Sequence, residues 1–209
     1  MTRDPAWWPP RRDFLGAALA LPAAAVLAGR RVAAQPRPLT PTPSCAEKGA
    51  PTPPQTAGPF FKPRSPRRAS LLEPGMTGTR IVVAGTVLST DCRPIPGALI
   101  DFWQADDRGE YDNAGFRRRG HQFTDDLGRY RLETIVPGLY PGRTRHIHVR
   151  VQAPNQPVLT TQLYFPGEPD NRSDGIFRPE LVMVVRDGEG AKTGTFEFVL
   201  AVPAPKPAG

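Results

Sequence analysis

The sequence predicts an all-β fold: a two-sheet sandwich with long loops and an extended N-terminal arm. Three observations lead there. The 209 residues include 27 prolines and 20 glycines, and because an interior proline costs a helix about 3 kcal/mol, long helices are excluded over much of the chain. From residue 79 onward, apolar and β-branched residues come in short runs. Asp126-Leu-Gly128, Pro137-Gly138, Pro141-Gly142 and Asp187-Gly188 punctuate those runs with turn chemistry. The length suits one domain with an appendage.

Residues 1–34 read as a twin-arginine export signal. Arg11-Arg12-Asp13-Phe14-Leu15-Gly16 precedes an apolar stretch that runs to about Gly29, and Val32-Ala33-Ala34 offers small residues for cleavage before Gln35. The stretch is shorter than the about 20 residues a bilayer span needs, and Pro22 interrupts it. The expectation is therefore a periplasmic or secreted protein with no membrane association after cleavage. Losing five arginines and two aspartates with the signal takes the net charge from +7 to +4. The remaining basic residues are scattered rather than striped, which argues against nucleic acid as a partner.

Residues 35–78 form the expected arm, rich in Pro, Thr and Ala over 35–58 and without strand or helix periodicity. Cys45 and Cys92 are the only cysteines, and in an oxidising compartment a pair is what one disulfide requires. Closing that loop is worth about 4 kcal/mol in the chain-entropy model. The sandwich is expected over 79–209, with strands at 80–88, 98–103, 129–135, 146–151, 160–165, 181–185 and 195–202. Tyr130, Leu132 and Thr134 fall on one face of the third run, where Tyr130 packs, as does Tyr164 in the fifth. Trp103 reads as a core anchor and His121 as a surface loop histidine.

Chemistry concentrates near one strand. His146 and His148 alternate onto one face and can grip a single metal ion. Tyr140 sits six residues upstream of His146, in the proline-braced turn Pro137-Gly-Leu-Tyr-Pro141. If phenolates supply the anionic charge, the centre must be strongly Lewis-acidic, because phenol has a reference pKa of about 10. Ferric iron meets that demand, whereas zinc would recruit Cys or carboxylate.

These residues belong to blocks that resemble the intradiol ring-cleavage dioxygenases, the family of protocatechuate 3,4-dioxygenase and catechol 1,2-dioxygenase. The blocks are Thr52-Pro-Pro-Gln-Thr-Ala-Gly-Pro-Phe-Phe61, Asp91-Cys-Arg-Pro-Ile-Pro-Gly-Ala98, Asp101-Phe-Trp-Gln-Ala105 through Gly109-Glu-Tyr111, Thr124-Asp-Asp-Leu-Gly128, Pro137-Gly-Leu-Tyr-Pro-Gly-Arg-Thr-Arg-His-Ile-His148 and Thr161-Gln-Leu-Tyr-Phe165. They keep the family's order and resemble its exported, single-chain members. The resemblance implies a non-haem Fe(III) centre held by Tyr111, Tyr140, His146 and His148, with Tyr140 leaving when substrate binds. It implies catalytic roles for Arg143, Tyr140 and Gln162, and a substrate pocket that includes Thr56 and Phe60. Phe60 stands where the family has a tyrosine facing the axial ligand. The implied reaction takes a small aromatic diol and O2 to a cis,cis-muconate.

The absence of an N-terminal helical dimerisation segment leans toward a protocatechuate-like layout. A homo-oligomer is compatible with the sequence. A rival reading is a non-enzymatic module, because Gly85 through Ala98, Thr124 through Tyr130 and Pro137-Gly-Leu-Tyr140 also resemble transthyretin-like, carboxypeptidase-regulatory sandwiches. Such a module has no need of His146-Ile-His148 together with Tyr111 and Arg143.

Overall fold

The computed structural model describes residues 50–202. The export signal, the first part of the arm, Cys45 and residues 203–209 lie outside the described residues. Nine strands are present among the described residues: β1 (Arg80–Ser89), β2 (Leu99–Trp103), β3 (Arg119–Phe123), β4 (Arg129–Ile135), β5 (His146–Gln152), β6 (Leu159–Tyr164), β7 (Val184–Arg186), β8 (Lys192–Thr195) and β9 (Phe198–Leu200). Two short 3-10 turns, Pro169–Arg172 and Pro179–Leu181, are the helical segments among the described residues. The strands form two sheets, β3-β2-β5-β6 and β4-β1-β8-β7, with β9 continuing alongside β1. The protein is an all-β sandwich.

Five expected strands fall where the alternation places them, within a residue or so at the ends. Two departures have local causes. The expected strand at 181–185 begins instead as the 3-10 turn at Pro179, and strand geometry starts only at Val184. The expected strand at 195–202 is split into β8 and β9. Both run parallel to β1, and the register from Ala84↔Thr195 to Val87↔Phe198 is unbroken. Between them the Phe196 carbonyl turns out of the ladder, lies against Gly85 and accepts the Tyr130 hydroxyl at 2.9 Å. β3 was not expected at all. It places His121 on a strand opposite Asp101, half-buried, rather than on a surface loop.

Alternation gives the β3-β2-β5-β6 sheet two unlike faces. Ile100, Phe102, Ile147, Val149, Val151 and Leu163 point inward, each fully buried, and meet Ile81, Val83 and Leu132 of the other sheet. The opposite face carries cross-strand rows of polar and aromatic side chains. One row reads Arg119–Trp103–His148–Gln162 and the next reads His121–Asp101–Arg150–Thr160.

Residues 55–68 run irregularly along this second face and hydrogen-bond to it, while Thr52 and Leu71 on either side bond to the other sheet. Gln55 N donates to the Thr160 carbonyl at 2.8 Å and Arg68 N to that of His121 at 2.9 Å. The Ser65 hydroxyl donates to Asp101 at 2.8 Å, while His121 Nδ1 donates to the Ser65 carbonyl at 2.8 Å. The hydroxyl is therefore bound by the carboxylate rather than activated by the imidazole, and this Ser-His-Asp cluster is an anchor for the arm.

Candidate metal centre

Two loops and one strand build the site. Tyr111 lies on the loop from β2 to β3, Tyr140 on the loop from β4 to β5, and both histidines on β5. Glycine lets the loops touch. Gly109 adopts φ +89°, and an added Cβ there would run into the Leu139 carbonyl. A Cβ at Gly138 would strike the Gly109 nitrogen and the Asp107 carbonyl. Gly138 N also donates to the Asp106 carbonyl at 2.6 Å, tying the Tyr140 turn to the Tyr111 loop. Arg145 braces the same turn by donating to the Pro137 carbonyl while pairing with Glu168.

The donor atoms converge. His146 Nε2 stands 3.2 Å from His148 Nε2 and 3.2 Å from the Tyr111 hydroxyl oxygen. His146 Nδ1 donates to the Thr144 carbonyl at 2.6 Å, which leaves Nε2 as a lone pair aimed at its neighbours. Metal–donor distances of about 2.0–2.1 Å put adjacent ligands of one ion about 3 Å apart, so these spacings fit a shared cation. Burial holds His146 neutral, with its pKa lowered to about 4, and pushes His148 well down as well. Neutral imidazole is the form that binds metal. Burial also pushes the Tyr111 phenol up, against the opposing charges of Arg143 and Arg119. A strongly Lewis-acidic ion would reverse that balance. Among the described residues no cluster of three His, Cys, Asp or Glu side chains is gathered, so the donors here are imidazole and phenol. That set suits a ferric ion.

Tyr140 joins through its ring, T-shaped to Tyr111 at 5.8 Å and to Phe60 at 5.4 Å. Phe60 stacks on Tyr111 with centroids 4.4 Å apart and planes at 15°. The aromatic body expected at this position is thus packed between both tyrosines, without a hydroxyl. Trp103 lies flat on His148 at 4.9 Å and 3°, so the anchor residue orients a ligand ring.

Arg143 Nε pairs with Asp174 at 2.9 Å, and its Nη2 donates to Gln162 Oε1 at 2.6 Å and to the Tyr164 hydroxyl at 3.4 Å. Gln162 Nε2 in turn donates to the Thr56 carbonyl at 3.0 Å. Thr56 thus enters through its main chain, its side-chain oxygen accepting from Gly58 N. Tyr164, expected only to pack, places its hydroxyl in this network. Burial raises its pKa to about 12. Asp174 and Arg119 were not anticipated. A lone aspartate in Ser173-Asp-Gly175 and one arginine of three in a row carry no local signal of their role.

The all-β sandwich and its imidazole and phenol donors can be set beside known proteins, and the comparisons point to one family. A dioxygenase family model (Dioxygenase_C) matches residues 56–202. The hydroxyquinol 1,2-dioxygenase of Rhizobium sp. (strain MTP-10005) is 33% identical over 147 residues, 57% of this chain and 50% of that protein. The protocatechuate 3,4-dioxygenase beta chain of Burkholderia cepacia is 37% identical over 119 residues, 48% of this chain and 51% of its own. Among solved structures, the dioxygenase domain of a dioxygenase carbohydrate-binding protein fusion from Streptomyces sp. SirexAA-E is 57% identical. The superposition covers 74% of this chain and 100% of that one, with a TM-score of 0.72. The chain belongs to the intradiol ring-cleavage dioxygenase family. It spans about half the length of the first of the curated relatives it matches.

Proposed function

We propose that this chain is a non-haem Fe(III) dioxygenase that cleaves a catechol-type aromatic between its two hydroxylated carbons, inserting both atoms of O2 to give a cis,cis-muconate. The observation that carries this reading is the meeting of two imidazole nitrogens and a phenol oxygen, with His146 Nε2 3.2 Å from each of the other two and a second tyrosine ring alongside. Tyr111, Tyr140, His146 and His148 would hold the ion. When bound, it supplies a Lewis-acidic centre that draws in the two catechol oxygens and keeps phenolates ionised.

The remaining roles fall to this chain's own groups. Tyr140, on the half-buried side of the cluster, is placed to accept a proton from an incoming catechol. Arg143 keeps a fixed positive charge beside the ring-binding space, held by Asp174, Gln162 and Tyr164, and can stabilise negative charge that builds on the ring. Phe60 and Trp103 wall the donors with apolar rings, which limits water and strengthens that electrostatic effect.

The finer, protocatechuate-like assignment has in its favour the 37% identity to a protocatechuate 3,4-dioxygenase beta chain. Against it stands the charge beside two of the proposed site residues: a cavity of about 370 Å³ lined by Tyr140 and Arg143 is also lined by Asp170, Ser173 and Asp174. Its one cation is already paired with Asp174. A substrate carboxylate finds no unpaired charge there, so we infer that uncharged catechols are preferred. Export through the twin-arginine route and a Cys45–Cys92 disulfide belong to the same proposal. The test is oxygen uptake with catechol, hydroxyquinol and protocatechuate, the product identified by its ultraviolet spectrum. Muconate formation fastest on an uncharged diol is expected. Failure of all three to consume oxygen with iron bound would leave only the sandwich module.

A further inference from the structure

Arg119 has no part in the scheme above, yet it is one of the largest fully buried side chains, 2% exposed. It stands on β3 in the row that continues through Trp103 to His148, on the face that carries the ligands. Its hydrogen bonds all go to main-chain carbonyls of two segments. Nη1 donates to Phe60 O at 2.6 Å, while Nη2 and Nε donate to Asp112 O at 3.0 and 3.3 Å. Phe60 and the residue before Asp112 are the two whose rings stack at 4.4 Å. A planar guanidinium can bridge two carbonyls on separate segments in a way a single ammonium cannot. Burying a cation without a carboxylate partner is costly, and a mere loop tie could be made by a neutral donor.

We infer that Arg119 is a positioning residue for Tyr111: it ties the carbonyl of Asp112, the next residue in the chain, to the carbonyl of Phe60 and so fixes the phenol oxygen against His146 Nε2. This inference rests on the dioxygenase reading and goes beyond it, because the hydrogen bonds of Arg119 reach main-chain carbonyls rather than the donor atoms.

The test uses the full chain loaded with iron and the variants Arg119→Met and Arg119→Lys. The readouts are iron per chain, the visible tyrosinate-to-iron absorption band, kcat and KM. Arg119→Met is expected to shift or weaken the band and to lower kcat by about 10–100-fold, the range for groups that orient metal ligands, with KM changing less. Arg119→Lys is expected to retain iron and to recover the band only in part. A wild-type band and kcat in Arg119→Met, with only a lower melting temperature, would overturn the inference. If Arg119→Met does not fold, Arg119→Lys decides on the same band. A colourless, iron-free wild type would overturn the dioxygenase reading as well, and so separates the two failures.

Discussion

The two faces of the β3-β2-β5-β6 sheet are made of the same strands and obey opposite rules. Inward, Ile100, Phe102, Val149 and Leu163 are fully buried hydrocarbon whose contribution is area removed from water. Outward, His146, His148, Gln162 and Arg119 are equally hidden from solvent, at 4%, 2%, 0% and 2% exposure. They are covered by the arm and the long loops rather than by a second sheet. Burial on the first face stabilises; burial on the second serves to neutralise imidazoles, raise a phenol and strengthen charges. One alternation therefore separates a stability surface from a chemical one, and substitutions on the two faces should report different quantities.

The largest effect should come from the chemical face. His148→Ala removes one donor of the pair, and iron retention and ring cleavage should fall by more than the about 100-fold that losing an outer orienting group costs. Metal analysis and oxygen uptake on the same preparation check this. The fold should survive, because the hydrocarbon face is untouched. The reverse pattern is expected for Ile100→Ala, which should cost about 2–5 kcal/mol in urea denaturation while the folded fraction keeps its kcat. If Ile100→Ala also erased the visible band of protein that is still folded, the separation of the faces would be wrong. Between these lies Gly138→Ala. Its methyl would push the Tyr140 turn off the Tyr111 loop, so we expect about 1–3 kcal/mol of destabilisation and a lower kcat at unchanged iron content.

The unequal faces also explain what could be read from the sequence. β1, β4 and β5 were legible because β-branched and aromatic residues alternate there, and the inward face is what produces that alternation. β3, with the sequence Arg-Gly-His-Gln-Phe, shows none. Its outward residues serve the arm and the site, and Gly120 is small because Arg68 and Leu71 press on it. The His146-Ile-His148 spacing was readable as a ligand pair. The approach of Tyr111, 35 residues away in the chain, was not, since it depends on two glycine-lined loops meeting; only the family resemblance pointed to it. Asp174 and the hydroxyl of Tyr164 were missed for a related reason, as their partners come from separate loops and strands.

The smallest effect concerns pH and sharpens the comparison through Asp174, which serves the chemical face yet acts on stability. Burial by itself would raise its pKa. The backbone N–H of Ile176, the Arg143 guanidinium and the N–H of Thr144 outweigh burial and hold it below the usual carboxylate value. A carboxylate with a depressed folded-state pKa adds stability that is fully present above its unfolded value of about 3.9 and is lost as pH falls through the folded value. Wild-type stability should therefore drop as the medium is acidified below about pH 4, and Asp174→Asn should flatten part of that fall. The variant should also lower kcat at neutral pH, because Arg143 loses the partner that holds its Nε while keeping Gln162 and Tyr164 at Nη2. Unfolding curves from pH 3 to 7 on both proteins measure the slope. An Asp174→Asn slope equal to the wild type's would mean that this carboxylate is no more favoured in the folded chain than in the unfolded one, and that Arg143 is held by Gln162 and Tyr164 alone.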